Sequence, residues 1–238
     1  MGYGRWITGA LGWVLGGPIG GLIGYFVGSL ADGSLSSSGS ETYAGQRNSF
    51  LISLLVLSSA VMRADGKVMR SELDYVKGFI RVNFGEDAVA QALSILKELS
   101  HKEVDIQQVC AQIKAYMDLP QRLQLLHYLA GISKADGSVS AAEQEVLRKI
   151  ARYMGLSERD SESVFAMFGT NIEDAYKVLE IGSSATDEEV KKAYKKMAMK
   201  HHPDRVATLG ADVRIAAEEK FKSIVAAYEV IKKERNFA

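Results

Sequence analysis

The chain has 238 residues and a mass of 26.0 kDa, enough for one large domain or two small ones with separate cores. Apolar residues make up 47% and charged residues 24%, a globular balance, and the single cysteine, Cys110, excludes a disulfide framework and a CxxC zinc site. Lys plus Arg equals Asp plus Glu at 29 each, so no global field recruits nucleic acid or anionic lipid, and an electrostatic partner must be met by a local patch. Three prolines and few alternating β-branched runs predict an all-α chain in a reducing compartment.

Glycine is unevenly spread: 11 of the 22 lie in residues 1–33. From Trp6 to Ala31 a run of 26 residues carries no charge, which as a helix is long enough to cross a hydrocarbon core of roughly 30 Å. The stretch is too long, and its start too poor in charge, for a cleaved signal. Gly12, Gly16, Gly20, Gly24 and Gly28 recur every fourth residue, so one helical face is bare and suited to close packing against another helix. Residues 1–32 are therefore expected to associate with a membrane, with a homodimer through the glycine face. Gly16-Gly17-Pro18 leaves a re-entrant hairpin open beside a single span. Residues 33–45 read as a polar Ser/Gly tether.

The middle of the chain reads as amphipathic helices over 46–64, 71–84, 86–100, 104–117, 120–135, 140–154 and 157–168. Val89, Leu93 and Leu96, then Val109, Ile113 and Met117, have helical spacing, and Pro120 stands where a missing N–H costs least. One pattern occurs twice: Ala64-Asp65-Gly66-Lys67-Val68 with Glu72, and Ala135-Asp136-Gly137-Ser138-Val139 with Glu143. Gly allows the left-handed turn that ends one helix, Val is expected to plug the corner, and Glu falls in the first turn of the next helix. Ser140 and Glu143 also have capping-box spacing. Asp65, Glu72, Asp136 and Glu143 are weak candidates for a cation site, short of the oxygens that an EF-hand loop supplies. His101 and His127 are expected to be surface or satisfied core residues.

These corners make residues 46–168 resemble the TerB-like domain of tellurite-resistance and related proteins. The resemblance implies an all-helical interaction or stress-sensing module and supplies no reaction.

In the last seventy residues Thr186 and Glu189 form another capping box, opening a helix whose apolar stripe is Val190, Ala193, Tyr194, Met197 and Ala198. Lys191, Lys192, Lys195, Lys196 and Lys200 fill the remaining surface with no acid among them. Like charges four residues apart destabilise a helix by about 0.2–0.5 kcal/mol per pair, so the face calls for an acidic partner. Pro203 ends the helix at His201-His202-Pro203-Asp204. Phe221, Ile224, Ala227, Tyr228 and Ile231 mark a second amphipathic helix, antiparallel to the first, with His-Pro-Asp at the tip of the hairpin. The lysines lack the aromatic partners of a single-strand nucleic-acid site.

On Ala175-Tyr176-Lys177-Val178-Leu179, Ala193-Tyr194-Lys195, His202-Pro203-Asp204-Arg205 and Lys220-Phe221-Lys222-Ser223-Ile224, residues 173–238 resemble a J domain of the DnaJ co-chaperone family. The resemblance implies that the basic helix docks on an acidic surface of a DnaK-type chaperone and that the HPD loop drives ATP hydrolysis there. Lys191, Lys192, Lys195, Lys196 and Lys200 would then dock by charge, His202 and Asp204 would make loop contacts, Pro203 would fix loop shape, and Tyr194 would reach the edge of the site. Val206-Ala-Thr-Leu-Gly departs from the polar loop expected at that point.

The order of parts resembles the membrane-anchored DjlA branch of DnaJ-like proteins, which implies a membrane-associated co-chaperone with its folded body on the cytoplasmic side. The alternative is a TerB-like stress or metal-sensing scaffold with the J domain as a secondary output. No nucleophile–base pair, phosphate-cradling loop or zinc spacing supports an enzyme, and no cofactor is expected.

Overall fold

The computed structural model describes residue 21 and residues 41–100, 104–209 and 211–237. The glycine-spaced segment, most of the tether and His101 lie outside them. Among the described residues the fold is all-helical: α1 Glu41–Met62, α2 Arg70–Phe84, α3 Glu86–Leu99, α4 Ile106–Tyr116, α5 Leu119–Ser133, α6 Ala141–Tyr153, α7 Glu158–Ala166, α8 Ile172–Val178, α9 Asp187–Lys200, a 3-10 helix Pro203–Leu209, and α10 Ala211–Arg235. Helix α1 already begins at Glu41, so residues 41–45, expected in the tether, are helical.

From Phe50 on, α1 is apolar nearly all round, as is α5, and these two helices sit at the centre. Phe50 and Leu54 to Leu57 of α1 are buried, as are Leu123, Leu125, Leu126, Tyr128, Leu129 and Ile132 of α5, and these helices pack together. Truncating one such leucine to alanine costs about 2–5 kcal/mol. Amphipathic α2, α3, α4, α6 and α7 wrap this pair with single apolar stripes, Val89, Ala92, Ile95, Leu96 and Leu99 in α3 and Val109, Cys110 and Ile113 in α4. Side chains close the helix starts. Asp118 accepts from the Gln121 amide at 2.9 Å, and Ser140 accepts from the Glu143 amide at 3.2 Å.

The two Asp-Gly corners form as local chemistry demands. Gly66 and Gly137 have φ of +80° and +94°, and Asp65 and Asp136 accept from the amides two residues on, at 2.9 and 3.0 Å. Val68 does not plug its corner: it is 46% exposed.

A second apolar cluster joins Ala175, Tyr176, Val178 and Leu179 of α8, Val190, Ala193 and Met197 of α9, and Ile224, Ala227 and Ile231 of α10. Ala166 at the end of α7 belongs to this cluster rather than to the first.

Candidate functional site

The site is built on α9 and the turn that follows. Thr186 opens α9, accepting from the Glu189 amide at 3.3 Å, while its own amide donates to Glu189 Oε2 at 2.7 Å. Val190, Ala193 and Met197 then point inward, leaving Lys191, Lys192, Lys195 and Lys196 on the outward side. The rings of Tyr194 and Tyr228 stack with centroids 4.4 Å apart, so Tyr194 braces the hairpin and keeps one edge at the surface.

Five lysines of one type and spacing have four different environments. Lys192 and Lys195 are exposed and pair with no acid within 4 Å among the described residues. Lys191 is 3.6 Å from Glu188 and lies over the Phe237 ring at 5.5 Å. Lys196 reaches Glu180 at 3.4 Å from an exposed position. Lys200 differs from all of them. Its side chain is 16% exposed and its ammonium donates to both Asp160 of α7 and Glu180, an ion-paired cluster that joins the bundle to the hairpin. Burial works against that charge, but the bonds to the two carboxylates outweigh it and hold the ammonium above its usual range. Lys200, expected on the docking face, is therefore held within the fold.

At the tip, His202 and Asp204 side chains are 54% and 71% exposed. The Asp204 amide donates to His202 Nδ1 at 3.3 Å. His201 turns the other way. It is buried, neither ring nitrogen has a hydrogen-bond partner among the described residues, and burial, with Lys220, Lys200 and His127 adding to the fall, pushes it down to about 2. His201 and His202 thus face apart. Burial likewise pushes Lys220 of α10 down to about 7 and His127 of α5 to about 3, each with a neighbouring lysine adding to the fall.

Beyond the triad the loop is not polar and open. Val206 and Leu209 are buried in the same apolar cluster as the central bundle helices, with Val213 and Ala217 beside them. The sequence departure at Val206 was the only signal. Arg235 carried no signal at all: its guanidinium donates to Tyr176 Oη at 2.6 Å, to the Ser183 carbonyl at 2.6 Å and to the Ala185 carbonyl, tying the end of α10 to α8 and the α8–α9 turn.

Of the candidate cation ligands, Glu72 and Glu143 are buried and accept from the amides of Met69 and Ser140 at 2.7 and 2.8 Å. Burial pushes Glu72 up to about 7, with Glu143, Asp65 and Asp136 adding to the rise. Among the described residues no group of three or more such side chains is placed to hold a metal ion.

Residues 174–236 match the DnaJ domain, residues 51–166 the family described as tellurite resistance protein TerB, and residues 1–41 the co-chaperone DjlA transmembrane domain. Among relatives named co-chaperone protein DjlA, that of Photobacterium profundum is 28% identical and the match covers 99% of each chain. The chain carries a segment that matches the DnaJ domain and resembles the DjlA co-chaperones. The DjlA of Coxiella burnetii is 26% identical over 98% of each chain, and that of Vibrio cholerae 27% over 81% of this chain and 80% of its own. No solved structure matches. In this DjlA-like chain the transmembrane match falls almost wholly outside the described residues, among which no helix is long and apolar enough to cross a membrane.

Proposed function

We propose that the chain is a membrane-associated co-chaperone whose J domain stimulates ATP hydrolysis by a DnaK-type chaperone. The observation that carries this reading is the exposure of His202 and Asp204 at the end of a helix whose outward face offers Lys191, Lys192, Lys195 and Lys196. An acidic partner surface would relieve the repulsion along that face and set the approach of the tip. The protein itself supplies contacts and no chemistry; ATP hydrolysis belongs to the partner.

Residues 1–32 form the anchor, dimerising through Gly12, Gly16, Gly20, Gly24 and Gly28. A tether leads to the TerB-like unit, 46–168, an interaction or sensing module, and to the J domain, 173–238. Because the partner consumes ATP, the folded units face the cytoplasm. The test is single-turnover ATP hydrolysis by a DnaK-type chaperone with this protein and with its Asp204→Asn variant. Stimulation that vanishes in the variant supports the reading; equal rates with both, or none with either, overturn it.

A further inference from the structure

His202 and Asp204 of the HPD triad are exposed between two anchored flanks. Before it stand Lys200, ion-paired to Asp160 of α7, and buried His201. After it stand Val206 and Leu209, 2% and 1% exposed, in a 3-10 helix that packs on α1 and α5 of the bundle. A hairpin that worked alone would lose the α1 and α5 side of this packing. Asp160 is tied down in its own right: its amide donates to Ser157 Oγ at 3.1 Å, and its second carboxylate oxygen accepts from the Ser157 hydroxyl at 2.6 Å. The other acid on Lys200, Glu180, is a buried carboxylate at φ +59°, a left-handed conformation that a bulky residue adopts only when its surroundings hold it.

We propose that the TerB-like bundle is a positioning element for the J-domain loop, with Asp160 acting through Lys200 on one side and the apolar seat of Val206 and Leu209 on the other. This rests on the functional reading above and deepens it. A loop that samples many conformations binds with an affinity reduced by the fraction of time it spends in the competent one. Anchoring both flanks while leaving His202 and Asp204 free removes that loss without covering the contact residues. Asp160 and Val206 touch no partner themselves and are positioning residues.

The test uses the full-length protein in lipid nanodiscs, as wild type, Asp160→Asn, Asp160→Glu and Val206→Ala, with Asp204→Asn as control. Asp160→Asn keeps an oxygen for Ser157 and leaves Glu180 on Lys200, so the fold is retained; Val206→Ala attacks the same anchor from the other flank. Amide hydrogen exchange over 204–209 is expected to speed up roughly tenfold in Asp160→Asn and in Val206→Ala, with the α5 amides unchanged, and Asp160→Glu is expected to restore slow exchange. In chaperone ATP hydrolysis the half-saturating concentration of both is expected to rise roughly tenfold at unchanged maximal stimulation, whereas Asp204→Asn loses the maximum. Exchange unchanged in both variants overturns the anchor. Faster exchange with an unchanged half-saturating concentration, or with stronger stimulation than wild type, overturns the positioning role. Wild type that fails to stimulate overturns the functional reading and the positioning role with it, while the exchange data still decide whether the bundle anchors the loop.

Discussion

The imidazole of His202 meets the ring of Phe221 edge-on, with centroids 6.1 Å apart and planes at 72°. This contact is the only ring contact that the exposed triad makes among the described residues, and it ties His202 to helix α10. Edge-to-face pairs contribute about 0.5–1.5 kcal/mol beyond the area they bury. Phe221→Ala is therefore expected to destabilise the J domain by about 1–3 kcal/mol in urea unfolding and to speed amide exchange at 202–205. Phe221→Tyr, which keeps the ring edge, is expected to leave exchange there unchanged.

Stability should rise with pH on both sides of neutrality, for different groups. Between pH 5 and 6 the unfolded chain holds protons on His127 and His201, whereas the folded chain keeps both neutral and holds one proton on Glu72. The unfolded state binds one more proton, so stability falls by about 1.4 kcal/mol per unit of acidification. Between pH 7 and 9 the unfolded chain keeps the Lys220 proton that the folded chain has lost, and the slope has the same sign. Urea midpoints from pH 5 to 9 check this. Lys220→Met is expected to flatten the arm above pH 7 and to raise stability at neutrality; a slope that persisted would assign it to another group.

Glu72 works in the opposite sense. Its carboxyl is raised in the fold, so ionising it costs stability as pH climbs from about 4.5 to about 7, and the cost stays constant above. Glu72→Gln keeps an oxygen for the Met69 amide and removes the charge that burial and the charges of Glu143, Asp65 and Asp136 disfavour. The variant is expected to be more stable by about 2–3 kcal/mol at pH 8 and nearly equal to wild type at pH 4, measured as the difference in unfolding free energy at the two pH values.

Cys110 is fully buried in α4, and burial pushes its thiol up to about 12. Only the thiolate alkylates, so iodoacetamide at pH 8 is expected to label the native protein only as fast as it unfolds. Mass spectrometry with and without 6 M guanidinium distinguishes this from direct reaction of the folded state, which would label at a rate indifferent to stabilising conditions.

Arg235 bonds at once to a hydroxyl and two carbonyls, and it lies 3.3 Å from Asp187. A lysine has neither the planar fork nor the number of donors to repeat this. Arg235→Lys is expected to lower the thermal midpoint of the J domain nearly as much as Arg235→Ala. A lysine variant with the wild-type midpoint would show that charge alone closes the hairpin.

The sequence by itself determined the features that depend on residues a few positions apart. Thr186 with Glu189 and Ser140 with Glu143 are capping boxes, because the partners are three residues apart and any helix starting there brings them together. Gly66 and Gly137 mark left-handed turns for the same local reason. Val190, Ala193 and Met197 announce the buried face of α9 by their period alone. Only the tertiary structure separated Lys200 from Lys192 and Lys195, because the acids that capture it stand 40 and 20 residues away in the chain and nothing in the lysine run distinguishes its last member. The seat of Val206 and Leu209, the burial of His201 and Lys220, and the Arg235 clasp were settled in the same way. Each depends on which surface a helix meets after folding, and burial and long-range pairing, unlike capping, have no fixed spacing in sequence.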